Sequence, residues 1–288
     1  AADDSAEKTQ IDVWLLVDSI SQPLWEQFTA DFNEANPDVE AILTLQPNEA
    51  YKTAIQVALA SNDPPDVYFN WPGDDAGRMV REGNALNLDQ YAEEYGWHDS
   101  LAAAPLDAFT IDGSLYGMPY SLHSKFFYYN TQIFDELGLE VPKTVTELEA
   151  AMDAIKEAGY VPVAFGNLDG WPMFHIHGEF QNVLIPDRYY LDNIMYAWEP
   201  GTWNTPENVE AAAKVQEWVE KEYLTPGFEG ISYDDSTALF DSGEGAMMIT
   251  GSWMSSTFAA GPHGENIGFF LFPPAEEGQN KLAIGGTS

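Results

Sequence analysis

Short apolar runs alternate with amphipathic stretches along the first seventy residues. Ile11–Val17 is rich in strand-forming residues, and it precedes Ser21–Asn36, where Leu24, Phe28 and Phe32 recur every four residues, as on one face of a helix. A second strand, a second helix and a third strand are predicted over Val39–Gln46, Ala50–Ala60 and Asp66–Phe69. This alternation of strands and helices predicts a parallel α/β sheet.

The pattern changes near residue 110. Asp112-Gly113 stands between two β-prone stretches and predicts a tight hairpin turn. Ser124–Asn130 is strand-like, and Thr144 with Glu147 has the spacing of a capping box that begins a helix. The later predicted elements are strands over Tyr160–Phe165, Ala246–Thr250 and Ile267–Phe272 and a helix that begins at Thr205-Pro206. These elements indicate a second α/β lobe.

Length and composition fit a globular protein with two lobes. The chain has 288 residues, which is too long for a single domain with one modest core and suits two domains. Its hydrophobic content of 45%, with 14% aromatic residues, argues against a disordered chain. The sequence contains no run of about 18 apolar residues that could span a membrane. We interpret the opening residues AADDSAEKTQ as a polar tether that follows a removed signal or lipid-anchor segment.

The chain is strongly acidic, with 11 Lys and Arg residues against 47 Asp and Glu residues and a formal charge of -36. This charge repels phosphate backbones and anionic membranes, so we expect no nucleic-acid partner. The acidic residues are spread along the whole chain, which is typical of a solvated surface, and a halophilic source is the explanation we favour. Calcium binding is the rival explanation, but the sequence has no Asp-x-Asp-x-Asp-Gly loop. The absence of cysteine excludes disulfides, thiol catalysis and cysteine metal sites.

Four stretches of the chain resemble family 1 extracellular solute-binding proteins, the group that contains the carbohydrate receptors of ABC importers. They are PPDVYFNW at 64–71, LYGMPYSLHSKFFYYN at 115–130, LGLEVPKTVTELEAAM at 137–152 and ALFDSGEGAMMITGSW at 238–253. They occur in the family's order and are spread over residues 64–253 of the chain.

The resemblance implies a two-lobed α/β architecture, the type II periplasmic-binding-protein-like fold. It implies an N-terminal lobe of residues 1–117 plus 269–288, a C-terminal lobe of residues 118–268, and a ligand cleft between them that closes by hinge bending. In the family, C-terminal helices follow the strand that corresponds to Leu282–Ser288. We therefore expect the helices that complete the second lobe to be missing from this chain.

Open α/β sheets bind ligands at the carboxyl ends of their strands, and the resemblance directs attention to the residues there. A pyranose presents hydroxyl groups at its edge and C–H groups on its faces, so it needs polar side chains around it and a flat aromatic surface below. The implied ligand contacts are Asp18, Ser19, Gln22, Asn70, Trp71, Tyr120, His123, Asn167, Asp169, Trp171, Trp253, Gly285 and Gly286. Trp253 is the first choice for stacking, followed by Trp171 and Trp71, while Asp18 and Asp169 are the carboxylate choices.

Structural roles remain open for several of these residues. Asp18 and Asp169 also suit helix N-caps or solvated loops, and His123 suits a satisfied interface position. His175, His177 and Glu179 suggest a metal site, but on a helix His175 and His177 point apart and only two ligands remain on one face. We therefore expect no metal, no cofactor and no catalytic residue.

The sequence as a whole predicts an extracytoplasmic, non-enzymatic receptor. We expect it to be a monomer, free or lipid-anchored, that binds a mono- or oligosaccharide and delivers it to the permease subunits of an ABC importer. One alternative is a glycoside hydrolase, because such enzymes also have aromatic clefts with paired carboxylates. Another is a binding protein for a polyamine or other cation, since tryptophan faces and acids also hold cations. An anionic ligand is disfavoured, because none of the three arginines, Arg78, Arg81 and Arg188, stands at a predicted strand end.

Overall fold

The computed structural model describes residues 8–17, 21–61, 64–185, 203–278 and 285–287. The chain divides into two compact units, of which the first ends at Tyr120 and the second is Ser121–Thr287. The resemblance led us to expect the boundary at residue 117 and residues 269–288 in the first lobe. The observed division lies after residue 120 instead, and the strands at 267–270 and 285–287 both pair with a strand of the second unit.

The first unit is built on a parallel sheet with the strand order β2-β1-β3. Its strands are β1 (Thr9–Leu16), β2 (Val39–Gln46) and β3 (Val67–Tyr68), and a separate two-stranded hairpin consists of β4 (Thr110–Ile111) and β5 (Ser114–Leu115). Its helices are α1 (Ser21–Ala35), α2 (Asn48–Ala60), α3 (Asp74–Arg81), α4 (Asp89–Glu94), α5 (Trp97–Ser100) and α6 (Ala103–Ala108). The parallel β-α-β-α-β arrangement that the sequence predicts is confirmed, with α1 and α2 as the connections.

Helix α1 forms where the sequence predicts it, but it turns its apolar row outward. Leu24 and Phe28 are 53% and 57% exposed. The neighbouring side of the helix carries the half-buried Trp25 and Asn33 instead. Asn33 Oδ1 accepts a hydrogen bond from the backbone N–H of Ala41 at 2.7 Å, and its Nδ2 donates to the Ala41 carbonyl at 3.0 Å. The side chain thereby satisfies backbone groups of β2, which forms one edge of this sheet.

The hairpin between β4 and β5 follows directly from its turn residues. Asp112 and Gly113 have φ angles of 52° and 84°. A two-residue turn with both central residues in the left-handed region is the type that matches strand twist, and Asp-Gly is one of the sequences that adopts it readily. The predicted hairpin is confirmed.

The second unit contains a mixed sheet with the order β10-β6-β8-β7, and β9 also pairs with β6. Its strands are β6 (Leu122–Asn130), β7 (Val161–Val163), β8 (Gly245–Gly251), β9 (Ile267–Phe270) and β10 (Gly285–Thr287). Its helices are α7 (Thr131–Leu137), α8 (Val145–Glu157), α9 (Met173–Leu184), α10 (Pro206–Glu220), α11 (Tyr233–Asp241) and α12 (Ser255–Ala260), with short 3₁₀ turns at 228–230, 252–254 and 264–266. Strand β8 is buried along its whole length, so its carboxyl end emerges from the middle of the core.

Two helices of this unit begin at the caps that the sequence indicates. Thr144 Oγ1 accepts a hydrogen bond from the Glu147 N–H at 3.1 Å, and Thr205 Oγ1 accepts one from the Asn208 N–H at 3.3 Å. Both helices then pack apolar faces onto the core that surrounds the fully buried Trp218. None of the helices in the described part of the chain has the length and apolar content needed to span a bilayer.

Candidate functional site

Five aromatic and imidazole side chains of the second unit meet at the carboxyl end of β8. This group, which we call the Trp253 cluster, consists of His123, Trp171, His175, Tyr233 and Trp253. Its ring centroids are separated by 4.6 Å for Trp171–Tyr233, 5.3 Å for Trp171–His175, 5.7 Å for His175–Trp253 and 5.5 Å for His123–Trp253. Trp253 remains 36% exposed, so the cluster presents an aromatic surface to solvent.

Strand and helix ends bring these side chains together. Trp253 lies in the 3₁₀ turn after β8, Trp171 in the loop after β7, and His175 in the first turn of α9. Tyr233 is the first residue of α11, and His123 is the second residue of β6. β7 and β8 are parallel neighbours, so the segments after them emerge at the same edge of the sheet.

The Trp253 ring folds back over the end of its own strand. A Cβ atom added to Gly251 would lie 1.9 Å from Cζ3 of the Trp253 ring, which is far inside any tolerated contact. Only glycine therefore fits at this position with the indole where it is.

Tyr233 holds the polar edge of the Trp253 indole. Trp253 Nε1 donates to the Tyr233 hydroxyl at 2.9 Å, and that hydroxyl shares a second hydrogen bond of 2.7 Å with Thr250 Oγ1. The Tyr233 backbone N–H donates to Asp169 Oδ2 at 2.7 Å. Burial raises the pKa of Tyr233 to about 12, so its hydroxyl stays protonated at neutral pH. The indole N–H is thus satisfied within the protein.

The two histidines of the cluster are fixed by hydrogen bonds. His123 Nε2 lies 3.0 Å from Ser121 Oγ, and its Nδ1 lies 3.2 Å from Ser252 Oγ. His175 Nδ1 lies 3.3 Å from the Ile249 carbonyl oxygen, which can only accept, so Nδ1 carries the proton. Burial, assisted by the charge of Lys125, lowers the pKa of His175 to about 3. His175 is therefore a neutral ring in the floor of the cluster.

Other expected contacts of the second unit lie in the same region but make structural hydrogen bonds. Asn167 Oδ1 accepts from the backbone N–H of Met173 at 2.9 Å, at the start of α9. Asp169, as described, fixes the start of α11 through Tyr233. Gly285 and Gly286 of β10 pair with Ser124 and His123 of β6, which places their backbone beside the cluster.

The first unit has an aromatic group of its own near the carboxyl end of β3, which we call the Trp71 cluster. It contains the expected residues Trp71 and Tyr120 together with Trp25, Tyr51 and Phe69. The ring centroids are 4.7 Å apart for Phe69–Trp71, 5.1 Å for Trp25–Tyr120 and 6.1 Å for Phe69–Tyr120. The buried Tyr51 hydroxyl donates to the Phe69 carbonyl at 2.6 Å, which ties α2 to the end of β3.

The remaining expected contacts fall into three groups. Asn70 is half-buried between Phe69 and Trp71 in sequence. Gln22 donates to Glu26 Oε1 at 2.8 Å and lines a groove of about 470 Å³ between α1 and β2. Asp18 and Ser19 lie outside the described residues. Within the described ranges no three His, Asp or Glu side chains are grouped as a metal site, and the absence of a bound metal stays a prediction.

A family model decides which proteins this chain is related to. The model for the bacterial extracellular solute-binding proteins matches residues 17–288, which is nearly the whole chain. The chain belongs to this family.

Two relatives of this solute-binding protein are named as binding proteins, one of them for sugars and the other of an ABC transporter. A multiple sugar-binding protein of Streptococcus mutans is 23% identical over 258 residues, which are 88% of this chain and 60% of that protein. An uncharacterized ABC transporter extracellular-binding protein of Pyrococcus horikoshii is 24% identical and covers 77% of this chain and 50% of its own length. The chain thus spans about half to three fifths of the length of these two relatives.

Solved structures agree with the fold. A structure from a study of xylan utilization by Caldanaerobius polysaccharolyticus matches with a TM-score of 0.85 and 28% identity, covering 96% of this chain and 71% of that one. A chitin oligosaccharide binding protein matches with a TM-score of 0.80 and 26% identity, covering 95% and 70%. The expected periplasmic solute-binding architecture is confirmed.

Sequence reasoning did not select Tyr233 of the solute-binding protein as part of the site. The available signal was local: Ser232 Oγ accepts from the Asp235 N–H at 3.1 Å, a Ser-x-x-Asp cap that begins α11 at Tyr233. The sequence suggests His175 only as a metal ligand, and it gives no signal that places Trp25 or Phe69 beside a ligand. Their place in the clusters depends on contacts between elements that are distant in sequence.

Proposed function

We propose that this solute-binding protein is a carbohydrate receptor. The observation that carries the proposal is the partly exposed Trp253 ring, supported by neutral aromatic and imidazole neighbours at a strand end. An aromatic side chain buries roughly 150–250 Å², so a sugar face stacked on Trp253 would gain a large apolar contact. The His123 imidazole lies beside the Trp253 ring, and it suits the hydroxyl edge of a sugar together with the Ser121 and Ser252 hydroxyl groups that are hydrogen-bonded to it.

The relatives support the same ligand class. Names such as multiple sugar-binding protein and chitin oligosaccharide binding protein describe carbohydrate ligands of those proteins. In our proposal, the ligand contacts in this chain are the expected residues with Trp253 and Trp171 as stacking surfaces, and the Trp71 cluster provides a second aromatic surface. Closure of the two lobes on the ligand stays a prediction.

We propose further that the protein works outside the cytoplasm and hands its ligand to the permease subunits of an ABC importer. The family comprises extracellular binding proteins, and one relative is an ABC transporter extracellular-binding protein. In the same proposal the protein binds its sugar without hydrolysing it.

The test is a calorimetric and thermal-shift screen with xylo-oligosaccharides, chito-oligosaccharides and raffinose. Spermidine is included as a representative of the alternative ligand class, the polyamines. A ligand present at 100 times its dissociation constant adds about 2.7 kcal/mol to the free energy of unfolding. We expect one carbohydrate class to raise the melting temperature and spermidine to leave it unchanged. A shift with spermidine alone would refute the proposal, and release of reducing ends from the bound sugar would refute the non-enzymatic role.

The site assignment is tested with two matched tryptophan variants. We expect Trp253→Ala to weaken the binding of the tightest-bound carbohydrate by about 2 kcal/mol, or roughly 30-fold, because a central aromatic contact is lost. Trp203→Ala removes another exposed tryptophan of the same unit that is not a member of the cluster, and it should leave the affinity unchanged. Equal affinities for both variants and the wild type would remove Trp253 from the site.

A further inference from the structure

We propose that Tyr233 is a positioning residue that fixes the Trp253 indole in the orientation used for ligand binding. The expected effect on ligand affinity rests on the proposed carbohydrate function. The hydrogen bond by which Tyr233 orients Trp253 is a property of the protein alone. Tyr233 is not one of the ligand contacts that the sequence suggested.

The first part of the argument is the hydrogen-bond chain. The Trp253 indole has a single polar atom, Nε1, and that atom donates to the Tyr233 hydroxyl at 2.9 Å. The hydroxyl is in turn held at 2.7 Å by Thr250 Oγ1, and Thr250 is fully buried in β8. The polar edge of a partly exposed ring is therefore connected to the buried core through one oxygen atom.

The second part is the anchoring of Tyr233 itself. Its backbone N–H donates to Asp169 Oδ2 at 2.7 Å, and its ring contacts Trp171 with centroids 4.6 Å apart. The residue before it, Ser232, approaches the loop after β7 closely, since a Cβ atom added to Gly166 would lie 2.3 Å from the Ser232 carbonyl oxygen. Tyr233 is thus held at its backbone, its ring and its hydroxyl.

The third part is that the remaining contacts of Trp253 constrain its ring less specifically. Gly251 lies against the ring and excludes positions on that side, while His123 and His175 meet it at interplanar angles of 84° and 63°. These contacts restrict the space that the ring occupies. Of the contacts that the structure describes, the bond to Tyr233 is directional and selects one orientation of the indole within that space.

The experiment follows the indole N–H of Trp253 in protein with ¹⁵N-labelled indoles. The chain has nine tryptophans, and the Trp253 resonance is assigned by its loss in Trp253→Phe. Tyr233→Phe removes only the hydroxyl and keeps the ring and the backbone donor. We expect the Trp253 resonance to shift and its N–H to exchange faster with water in this variant, and the affinity for the oligosaccharide found in the screen to fall about three- to tenfold.

Tyr223→Phe is the matched control, because Tyr223 is also buried in the second unit and donates its hydroxyl proton to Asp153 Oδ1 at 2.7 Å. A general loss of stability would affect both variants, whereas only Tyr233→Phe should move the Trp253 resonance and the affinity. Thr250→Val leaves Tyr233 intact but removes the hydroxyl group that holds the Tyr233 hydroxyl. This variant should change the Trp253 resonance and the ligand affinity in the same direction as Tyr233→Phe, to a smaller extent.

The proposal is overturned if the Trp253 resonance and the affinity are the same in Tyr233→Phe and the wild type. It is also overturned if the resonance moves without a change in affinity, or if Tyr223→Phe moves both equally. If the wild type binds no oligosaccharide, the proposed function fails on that result, and the indole resonance still decides whether Tyr233 fixes Trp253.

Discussion

The buried histidine in the floor of the Trp253 cluster makes the stability of the protein depend on pH in a defined way. His175 is buried and holds its neutral form, with a pKa of about 3 against an ordinary value of 6.5. Between these two pH values the unfolded chain binds a proton that the folded protein does not. The free energy of unfolding therefore falls as the pH falls below about 6.5.

The size of this effect follows from the two pKa values. Between pH 7 and pH 5 the unfolded state gains about 2 kcal/mol from protonation of this histidine, and the folded state gains almost nothing. The result is insensitive to the folded-state value, because any pKa near 3 leaves His175 neutral at pH 5. The contribution of His175 to acid destabilisation is thus about 2 kcal/mol over this interval.

The perturbation is His175→Asn, whose amide can still donate to the Ile249 carbonyl from a position close to that of Nδ1. Urea unfolding of the wild type and the variant is measured at pH 7 and pH 5. The variant is expected to be less stable at pH 7, because the smaller side chain leaves a cavity. Between pH 7 and pH 5, however, the wild type should lose about 2 kcal/mol more than the variant.

Other groups titrate in this interval, and His177 also has a pKa lowered by burial. These contributions are common to both proteins and cancel in the difference between them. Parallel losses of stability in the wild type and His175→Asn would refute the reasoning, because they would mean that His175 takes up a proton in the folded protein as readily as in the unfolded chain.

Three further predictions concern the two clusters and the acidic surface. Gly251→Ala should displace the Trp253 ring, since the new Cβ would lie 1.9 Å from it, and we expect calorimetry to show a loss of sugar affinity of about tenfold. Gly230→Ala is the control, because a Cβ at that position meets open space, and it should leave the affinity unchanged. A Gly251→Ala variant that binds the sugar as tightly as the wild type would contradict the prediction. Tyr51→Phe should cost about 1 kcal/mol in urea unfolding, because the buried Phe69 carbonyl loses its donor, and an unchanged midpoint would show that this bond contributes nothing. Raising salt from 0.1 to 1 M shortens the screening length from about 10 to 3 Å, so the melting temperature of a chain with a charge of -36 should rise, and a falling one would argue against self-repulsion.

The sequence predicts the framework of the fold because its signals are local. The Asp112-Gly113 turn, the Thr144 and Thr205 caps and the parallel β1 to β3 arrangement depend on residues within one element or between consecutive elements. Such features can be recognised from spacing alone. The parallel sheet of the first unit could accordingly be anticipated, whereas the antiparallel pairs of β6 with β8, β9 and β10 in the second unit could not.

Helix α1 shows where local periodicity is insufficient. The spacing of Leu24, Phe28 and Phe32 correctly predicts a helix, but the structure exposes all three of these side chains. The side that faces the sheet carries Trp25 and Asn33, whose contacts are made to β2 and to residues far along the chain. Periodicity defines a helix, whereas the face that is buried depends on the partner that packs against it.

The candidate site divides in the same way. Trp171 and Trp253 could be selected because each lies in the segment that follows a strand, Trp171 in the loop after β7 and Trp253 directly after β8, where parallel sheets place their ligand contacts. Tyr233 could not, because its role depends on hydrogen bonds to Asp169 and to Trp253, 64 and 20 residues away in sequence. For Asp169 the sequence predicts a ligand contact. The structure shows in addition a hydrogen bond from the Tyr233 backbone N–H, which no sequence pattern predicts.

The most direct test of the account is an indole titration of the wild-type protein. With the Trp253 N–H resonance assigned, the oligosaccharide that raises the melting temperature is added in steps up to saturation. The account predicts that the Trp253 resonance shifts along the same binding curve as calorimetry, while that of the fully buried Trp218 stays in place. Saturation by the sugar with no change in the Trp253 resonance would contradict the central claim that this cluster binds the carbohydrate.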